Sequence, residues 1–428
     1  MSTVPPLRRL PTIASPPGDN APPVDAAARL QLIRELCAFE GRLAGTDAER
    51  RAGNWLAKEL RDRGRTAEIE PTYVHPQYAL AHAAYCLLGL AGSLVAIVNA
   101  PAGFAIVLVV VVAMYLDLNA RFYLLRRLFF RRASQNIVSP GTRADAPARL
   151  FLCAHYDAPR TGPFFRPRTI ARFARLDRLS PLPLGPFRIL FWSLAALLPV
   201  LGIRMAGVDS TLISVLQLIP TLILLFGALM LVNLELSDVV PAANDNASGV
   251  ATALSLTEEL GQNRPENLDV CVLLTGGGEC LMEGTRSYLR AHRKELDPSR
   301  TYFLSLEAVG RGEVRYVTGE GLAISFGMDH RVIELCDAIA SASDEPGDRR
   351  AASPLAWGFA TDSLPVRLAG FPCTTITTIE RGALLPARYH RLDDVPERID
   401  RNALDRAHAF ALDLVRALDR DVGRRLER

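Results

Sequence analysis

The chain contains no CxxC pair, and its seven cysteines (Cys37, Cys86, Cys153, Cys271, Cys280, Cys336 and Cys373) are an odd number. That excludes a disulfide framework as the organising device and leads us to expect free thiols in a reducing compartment. Strong charge of either sign is also missing. A net charge of +3 over 428 residues points to no particular partner, and no nucleic-acid partner is expected. No GxxxxGK(S/T) run is present to cradle phosphate, and no internal repeat is apparent. The first 24 residues, rich in Pro, have no long apolar core and so no signal-peptide pattern. Residues 1–24 read as a disordered polar tail.

What the chain does have is four long apolar runs. Tyr78–Val98 carries no charged side chain, only His82, and Ala102–Leu116 follows after Asn99-Ala100-Pro101. Phe187–Ile203 and the uncharged Thr211–Val232 form a second pair. A spanning helix needs roughly 20 apolar residues. The first and fourth runs meet that length and the other two are shorter. Buried core helices are the ordinary alternative, but two tight pairs of such runs favour two membrane hairpins. The turns inside the hairpins hold one Arg between them, whereas the connection outside holds Arg121, Arg126, Arg127, Arg131 and Arg132. Arg160, Arg166, Arg168, Arg172, Arg175, Arg178 and Arg188 follow. The positive-inside rule puts that connection, and both chain ends, on the cytoplasmic side of a bacterial-type inner membrane. The spans carry no charge that would mark an ion path, which argues against a transporter.

Outside the hairpins the pattern alternates between strand and helix. Helices are predicted over Asp25–Glu40, Ala48–Arg63, Ala247–Leu260, Gly284–His292, His330–Ser341 and Asn402–Arg416. Buried-type strands are predicted at Arg149–Ala154, Asn267–Thr275, Tyr302–Leu306 and Thr374–Ile379. This is an α/β pattern, a central sheet flanked by helices.

Polar motifs sit at the ends of these strands. His155-Tyr156-Asp157 ends one; residues two apart on an extended chain share a face, so His155 can bind a metal while Asp157 orients it. Asn244-Asp245-Asn246-Ala247-Ser248-Gly249 enters a helix, where a cap is the ordinary reading and a metal-bridging Asp245 the functional one. Gly276-Gly277-Gly278-Glu279 is a strand-to-helix turn, Glu307 ends a strand, and Tyr389-His390 precedes Asp393, Asp394 and Asp400.

In this order the motifs resemble those of the zinc-dependent aminopeptidases that include bacterial leucyl aminopeptidases and glutamate carboxypeptidase. Arg42 to Thr46 resembles the family's RxxGT turn, and Thr361-Asp362-Ser363 to Pro372 its SDHxPF…GIP segment. The likeness covers about residues 25–77, 145–165 and 235–415. It implies a mixed central sheet with two inserted hairpins. The chain would then divide into 25–77, the first part of the peptidase-like domain, 78–120, hairpin 1, and 121–185, a basic cytoplasmic segment with the first metal motif. Hairpin 2 would be 186–234 and the main peptidase-like part 235–428.

The resemblance also implies two zinc ions bridged by Asp245, with His155 and Glu307 on one and Glu279 and His390 on the other. Asp157 and Glu279 become the catalytic candidates, peptide the substrate and lipid the surroundings. Two departures matter: the family's general-base glutamate falls on Gly278, and Ser363 replaces a histidine. Glu279 taking a second role, or Glu283 reaching the water, would restore a base, although Glu283 reads as a solvated helix residue. The expected function is aminopeptidase-type hydrolysis by a metal-activated water; the alternative is a weak or inactive metal-binding scaffold.

Overall fold

A computed structural model describes residues 26–342 and 351–427; the tail expected over 1–24 lies outside them. Strands form where apolar residues run without interruption or where polar side chains find partners within the sheet. They are β1 (Glu68–Val74), β2 (Arg132–Ser139), β3 (Ala148–His155), β4 (Leu268–Thr275), β5 (Thr301–Glu307), β6 (Glu313–Glu320), β7 (Phe326–Gly327), β8 (Ala352–Ala356) and β9 (Cys373–Ile379). Their order is β1-β2-β4-β3-β5-β9-β6-β7, with β8 on β6. The pairs β4–β3, β3–β5 and β5–β9 are parallel, while β1–β2, β2–β4 and β9–β6 are antiparallel. The sheet is thus mixed, with its parallel strands at the centre, buried on both faces.

The helices are α1 (Ala26–Cys37), α2 (Asp47–Asp62), α3 (Tyr78–Val98), α4 (Ala100–Leu118), α5 (Pro167–Leu179), α6 (Pro186–Met205) and α7 (Thr211–Glu235). Then come α8 (Gly249–Gln262), α9 (Glu283–Ala291), α10 (His330–Ser341), α11 (Ser363–Leu368) and α12 (Arg401–Leu426). One sheet face packs on α1, α2, α8, α10 and α12 through Ile33, Leu56, Leu254 and Phe410. The other packs on α9 and α11 through Tyr288 and Val366. The C-terminal helix runs ten residues past its predicted end at Arg416 because Leu418 and Val422 continue its buried stripe.

All four apolar runs are helices long and apolar enough to cross a membrane. They pack on one another around Leu194, Leu197 and Leu224, a core separate from that of the sheet. Close approach of α3 and α4 needs Gly103, since a Cβ there would lie 2.5 Å from the Ala96 backbone nitrogen. Between α3 and α7, Ser93 and Thr221 hydroxyls meet at 2.7 Å and Gln217 Nε2 donates to the Ser93 carbonyl. A buried ion cluster is one of the joints between the inserted helices and the sheet domain. Arg126 binds Asp117, at the end of α4, at 2.7 Å and Glu283, at the start of α9, at 3.0 Å. Arg188 and Trp192 of α6 also donate to the carbonyls of Gly321 and Ala323.

Candidate metal centre

Register brings the functional ends of three strands together. In the parallel ladder His155 lies opposite Thr275, and Cys153 opposite Ser305 two residues before Glu307. Side chains leaving β3, β4 and β5 at their carboxyl ends therefore enter one crevice, the usual place for a site in such a sheet. Two loops complete it, one entering α8 and one after β9.

Each loop is held by identifiable bonds. Asp394 accepts from the backbone N–H of Asn244 (2.9 Å) and of Asp245 (3.1 Å), both buried. Asn246 donates from Nδ2 to Glu307 Oε2 at 3.1 Å, and its Oδ1 accepts from Ala308 N and Gly249 N. The predicted helix start at Ala247 moves to Gly249: residues 243–248 form a tight turn around these bonds instead of a simple cap. Asp157 accepts from Gly278 N and Glu279 N and lies 3.4 Å from His155 Nδ1, fixing both the ring and the glycine turn.

Arg42 ties the whole together. Its guanidinium, almost fully buried, donates to the carbonyls of Tyr156, Pro241 and Ala242, and so staples the His155 loop to the Asp245 loop. Next to it Glu49 accepts from Gly45 N, Ser134 Oγ and Gly277 N. Burial, with the charge of Asp157 adding, pushes the Glu49 carboxyl up to about 8. Asp362 accepts from Thr275 and Thr285 hydroxyls. Ser363, where the resemblance expects a histidine, is buried with its hydroxyl within bonding distance of Ser305 Oγ and the Thr374 carbonyl.

The five residues singled out from sequence as metal ligands come together as two trios. His155, Asp245 and Glu307 form one, Asp245, Glu279 and His390 the other, the candidate ligand atoms of each lying within 4.8 Å of one another. Asp245 turns Oδ1 to His155 Nε2 (3.4 Å) and Oδ2 to His390 Nε2 (3.3 Å). His155 Nε2 lies 3.3 Å from Glu307 Oε1, and His390 Nε2 lies 3.4 Å from Glu279 Oε2. Both Asp245 oxygens and both His390 nitrogens are buried without a hydrogen-bond partner.

A cation answers that deficit. Ligand atoms about 2.0–2.1 Å from one tetrahedral ion are about 3.3–3.4 Å apart, the spacing of the two histidine–carboxylate pairs in each trio, and three ligands would leave a fourth position open. Without a cation the crowded carboxylates raise one another. Burial pushes Glu307 up to about 7, and burial with the charge of Asp245 lifts Glu279 well above the usual range. Asp245 is buried too, yet the two histidines hold its carboxyl below its ordinary value.

Of the two expected sources of a replacement base, Glu279 lies in the site and Glu283 does not. Gly278 has no room for a side chain, because a Cβ there would meet His155 Cβ at 2.3 Å. Glu283 is not solvated: it is 4% exposed, is taken up by Arg126 and His75, and belongs to neither trio. Residues that sequence reasoning missed include Glu49, Asn246 and Phe165, whose ring centroid is 4.3 Å from that of His390. Asn246 sat inside a quoted motif; Phe165 gave no signal.

Fold and crevice together define the α/β architecture of the zinc-dependent aminopeptidases. Solved structures agree on the fold. A glutaminyl cyclase from Bacteroides thetaiotaomicron is 14% identical with a TM-score of 0.53, covering 93% of this chain and 99% of that one. A leucine aminopeptidase precursor from the same organism is 16% identical with a TM-score of 0.52, covering 93% and 98%. A zinc aminopeptidase from Bacillus subtilis is 14% identical with a TM-score of 0.53, covering 92% and 95%. No curated protein matched the chain. The model of peptidase family M28 matches residues 230–415.

Proposed function

We propose that this chain is a membrane-anchored metallohydrolase that holds two zinc ions and cleaves peptide bonds in aminopeptidase fashion. The observation that carries the reading is the pair of trios sharing Asp245, with ligand atoms 3.3–3.4 Å apart. His155, Asp245 and Glu307 would hold one ion and Asp245, Glu279 and His390 the other. Bound there, zinc supplies a Lewis acid for the scissile carbonyl and lowers the pKa of a bound water.

The protein's own part is positioning and proton transfer. Asp157 and Arg42 keep the two ligand loops in register. Glu279 faces His390 with Oε2, while Oε1 lies 4.0 Å from His155 Nε2. With Gly278 bare, Oε1 is the oxygen that takes the proton of the attacking water and returns it to the leaving amine. A carboxylate serving as both ligand and base is a poorer base than a dedicated one, which typically contributes ~10²–10⁴-fold, so turnover is slow. Gly278 is also the observation that favours the second reading, a zinc-binding membrane scaffold without turnover. Glutaminyl cyclases share the fold, and fold likeness alone does not assign their reaction to this chain.

The four apolar helices would cross a bacterial-type inner membrane with the metal centre on the cytoplasmic face, a reading supported by the arginines around them. The partners are then peptide substrate and membrane lipid, with no nucleic acid.

Purified protein is expected to hold two zinc ions per chain by elemental analysis and to cleave aminoacyl-anilides until a chelator removes the metal. Asp245→Asn should lose both ions, whereas Glu307→Gln should lose one. A wild-type chain that takes up no zinc overturns the proposal; two ions without turnover leave the scaffold.

A further inference from the structure

The centre opens into a cleft of about 340 Å³ whose inner end is Gly278, Glu279 and His390. Its walls are apolar, and among the described lining residues Glu279 and His390 alone can carry charge near neutral pH. Phe164 and Phe165 come from the turn before α5, Phe173 from α5 itself, and Phe226 and Met230 from α7. A peptide backbone laid along such walls would leave its N–H and C=O groups without partners, at a cost of several-fold in affinity for each. Hydrocarbon carries no such penalty.

The outer end of the cleft reaches a surface suited to lipid. Phe226 is 62% exposed, on a helix whose outward residues Leu222 and Leu229 are 52% and 58% exposed. Helix α5 sets Arg168, Arg172, Arg175 and Arg178 beside Leu176 and Leu179, which are 56% and 83% exposed. Basic and apolar residues in that pattern lie at the boundary between headgroups and acyl chains. One wall of the cleft is therefore an interfacial helix and another a spanning helix.

We propose that the cleft admits hydrocarbon sideways from the bilayer, and that the substrate is a long-chain N-acyl amino acid. Its acyl chain lies between α5 and α7 and its amide carbonyl at Glu279 and His390. This rests on the hydrolytic reading above and replaces the aminoacyl half of the scissile amide by a fatty acyl group. Water oxygen bonds to the acyl carbon, the C–N bond breaks, and a water proton leaves on the amine. The products are a fatty carboxylate and a free amino acid, and no oxidant or reductant is needed. At about 30 Å³ per small group, the volume accepts on the order of ten methylenes.

The test uses the full chain in lipid nanodiscs, zinc-loaded, with N-acyl-alanines of increasing chain length. The value of kcat/KM is expected to rise roughly two- to fourfold per methylene and level off near about ten carbons. Met230→Trp should move the plateau to shorter chains, and Phe226→Ala, which opens the wall, should lower the gain per methylene. Binding is read apart from turnover with metal-free protein and dodecanoyl-alanine carrying a terminal diazirine. Cross-links are expected at Ile223 and Met230 and should be lost in Met230→Trp. Labelling of Leu222 and Leu229 alone, unchanged by Met230→Trp, would be ordinary lipid contact and overturns the proposal. A flat chain-length profile beside brisk aminoacyl-anilide cleavage overturns the lipid substrate and leaves the peptidase. Cross-links in the cleft with no amide cleaved overturn the hydrolytic reading, and the substrate role with it.

Discussion

At Gly278 a single missing side chain decides how the site can work. A methyl group there would press on His155 Cβ at 2.3 Å, and His155 is itself fixed by Asp157. Gly278→Ala is therefore expected to weaken zinc binding by roughly 10–100-fold, as loss of ligand support does elsewhere, measured by competitive zinc titration. Gly278→Glu should do the same and recover no activity, so the family's base cannot be regained by substitution. A second residue gives a pH signature. Burial pushes the Glu320 carboxyl up to about 8, against the hydrogen bonds from Thr361. The fold thus favours the protonated acid, a contribution complete below about 4.5 and lost as pH rises to about 8. Against Glu320→Gln, the wild type should lose up to about 1.4 kcal/mol per pH unit across that window and level off above it. A melting-temperature gap that stays constant with pH would refute the assignment.

Among the elements, those legible in the sequence were the ones whose burial is apolar. Strands β3, β4 and β5 and all four long apolar helices were predicted near their observed bounds because long apolar runs have few other uses, and β9 showed as a run of β-branched Thr and Ile. Strand β2 was invisible: its buried Ser134, Gln135 and Asn136 earn their place by bonding Glu49, the Arg50 carbonyl and the Gly284 carbonyl, and a polar run has no period to detect. Strand β1, with two glutamates and a proline, is an edge strand that reads as a loop. The same rule holds at the site. Ligands stood out through strand-end motifs, while Glu49 and Phe165 did not, because their meaning lies in contacts far along the chain. The joint between α4 and α9 belongs here too. Arg126→Met strands Asp117 and Glu283 without their shared cation and should cost about 3–5 kcal/mol, read by chemical unfolding in detergent. Adding Asp117→Asn should recover part of the loss.

For the molecule as a whole, a sheet domain and a helix bundle with separate cores share one chain and meet at the candidate centre. The arginine distribution predicts where they sit: a reporter fused after Arg428 should be active on the cytoplasmic side, and an extracytoplasmic signal would reverse the topology. Arg42 precedes both hairpins, His155 lies between them, and Asp245 follows the second. In a bilayer, the three can meet only if each hairpin crosses and returns. A chain whose second hairpin crossed once would leave His155 and Asp245 on opposite faces, 25 to 30 Å of hydrocarbon apart by the roughly 30 Å thickness of the core. With the helices spanning a bilayer as proposed, completion of the site would report correct insertion, and a wrongly threaded copy would reach the membrane chemically silent.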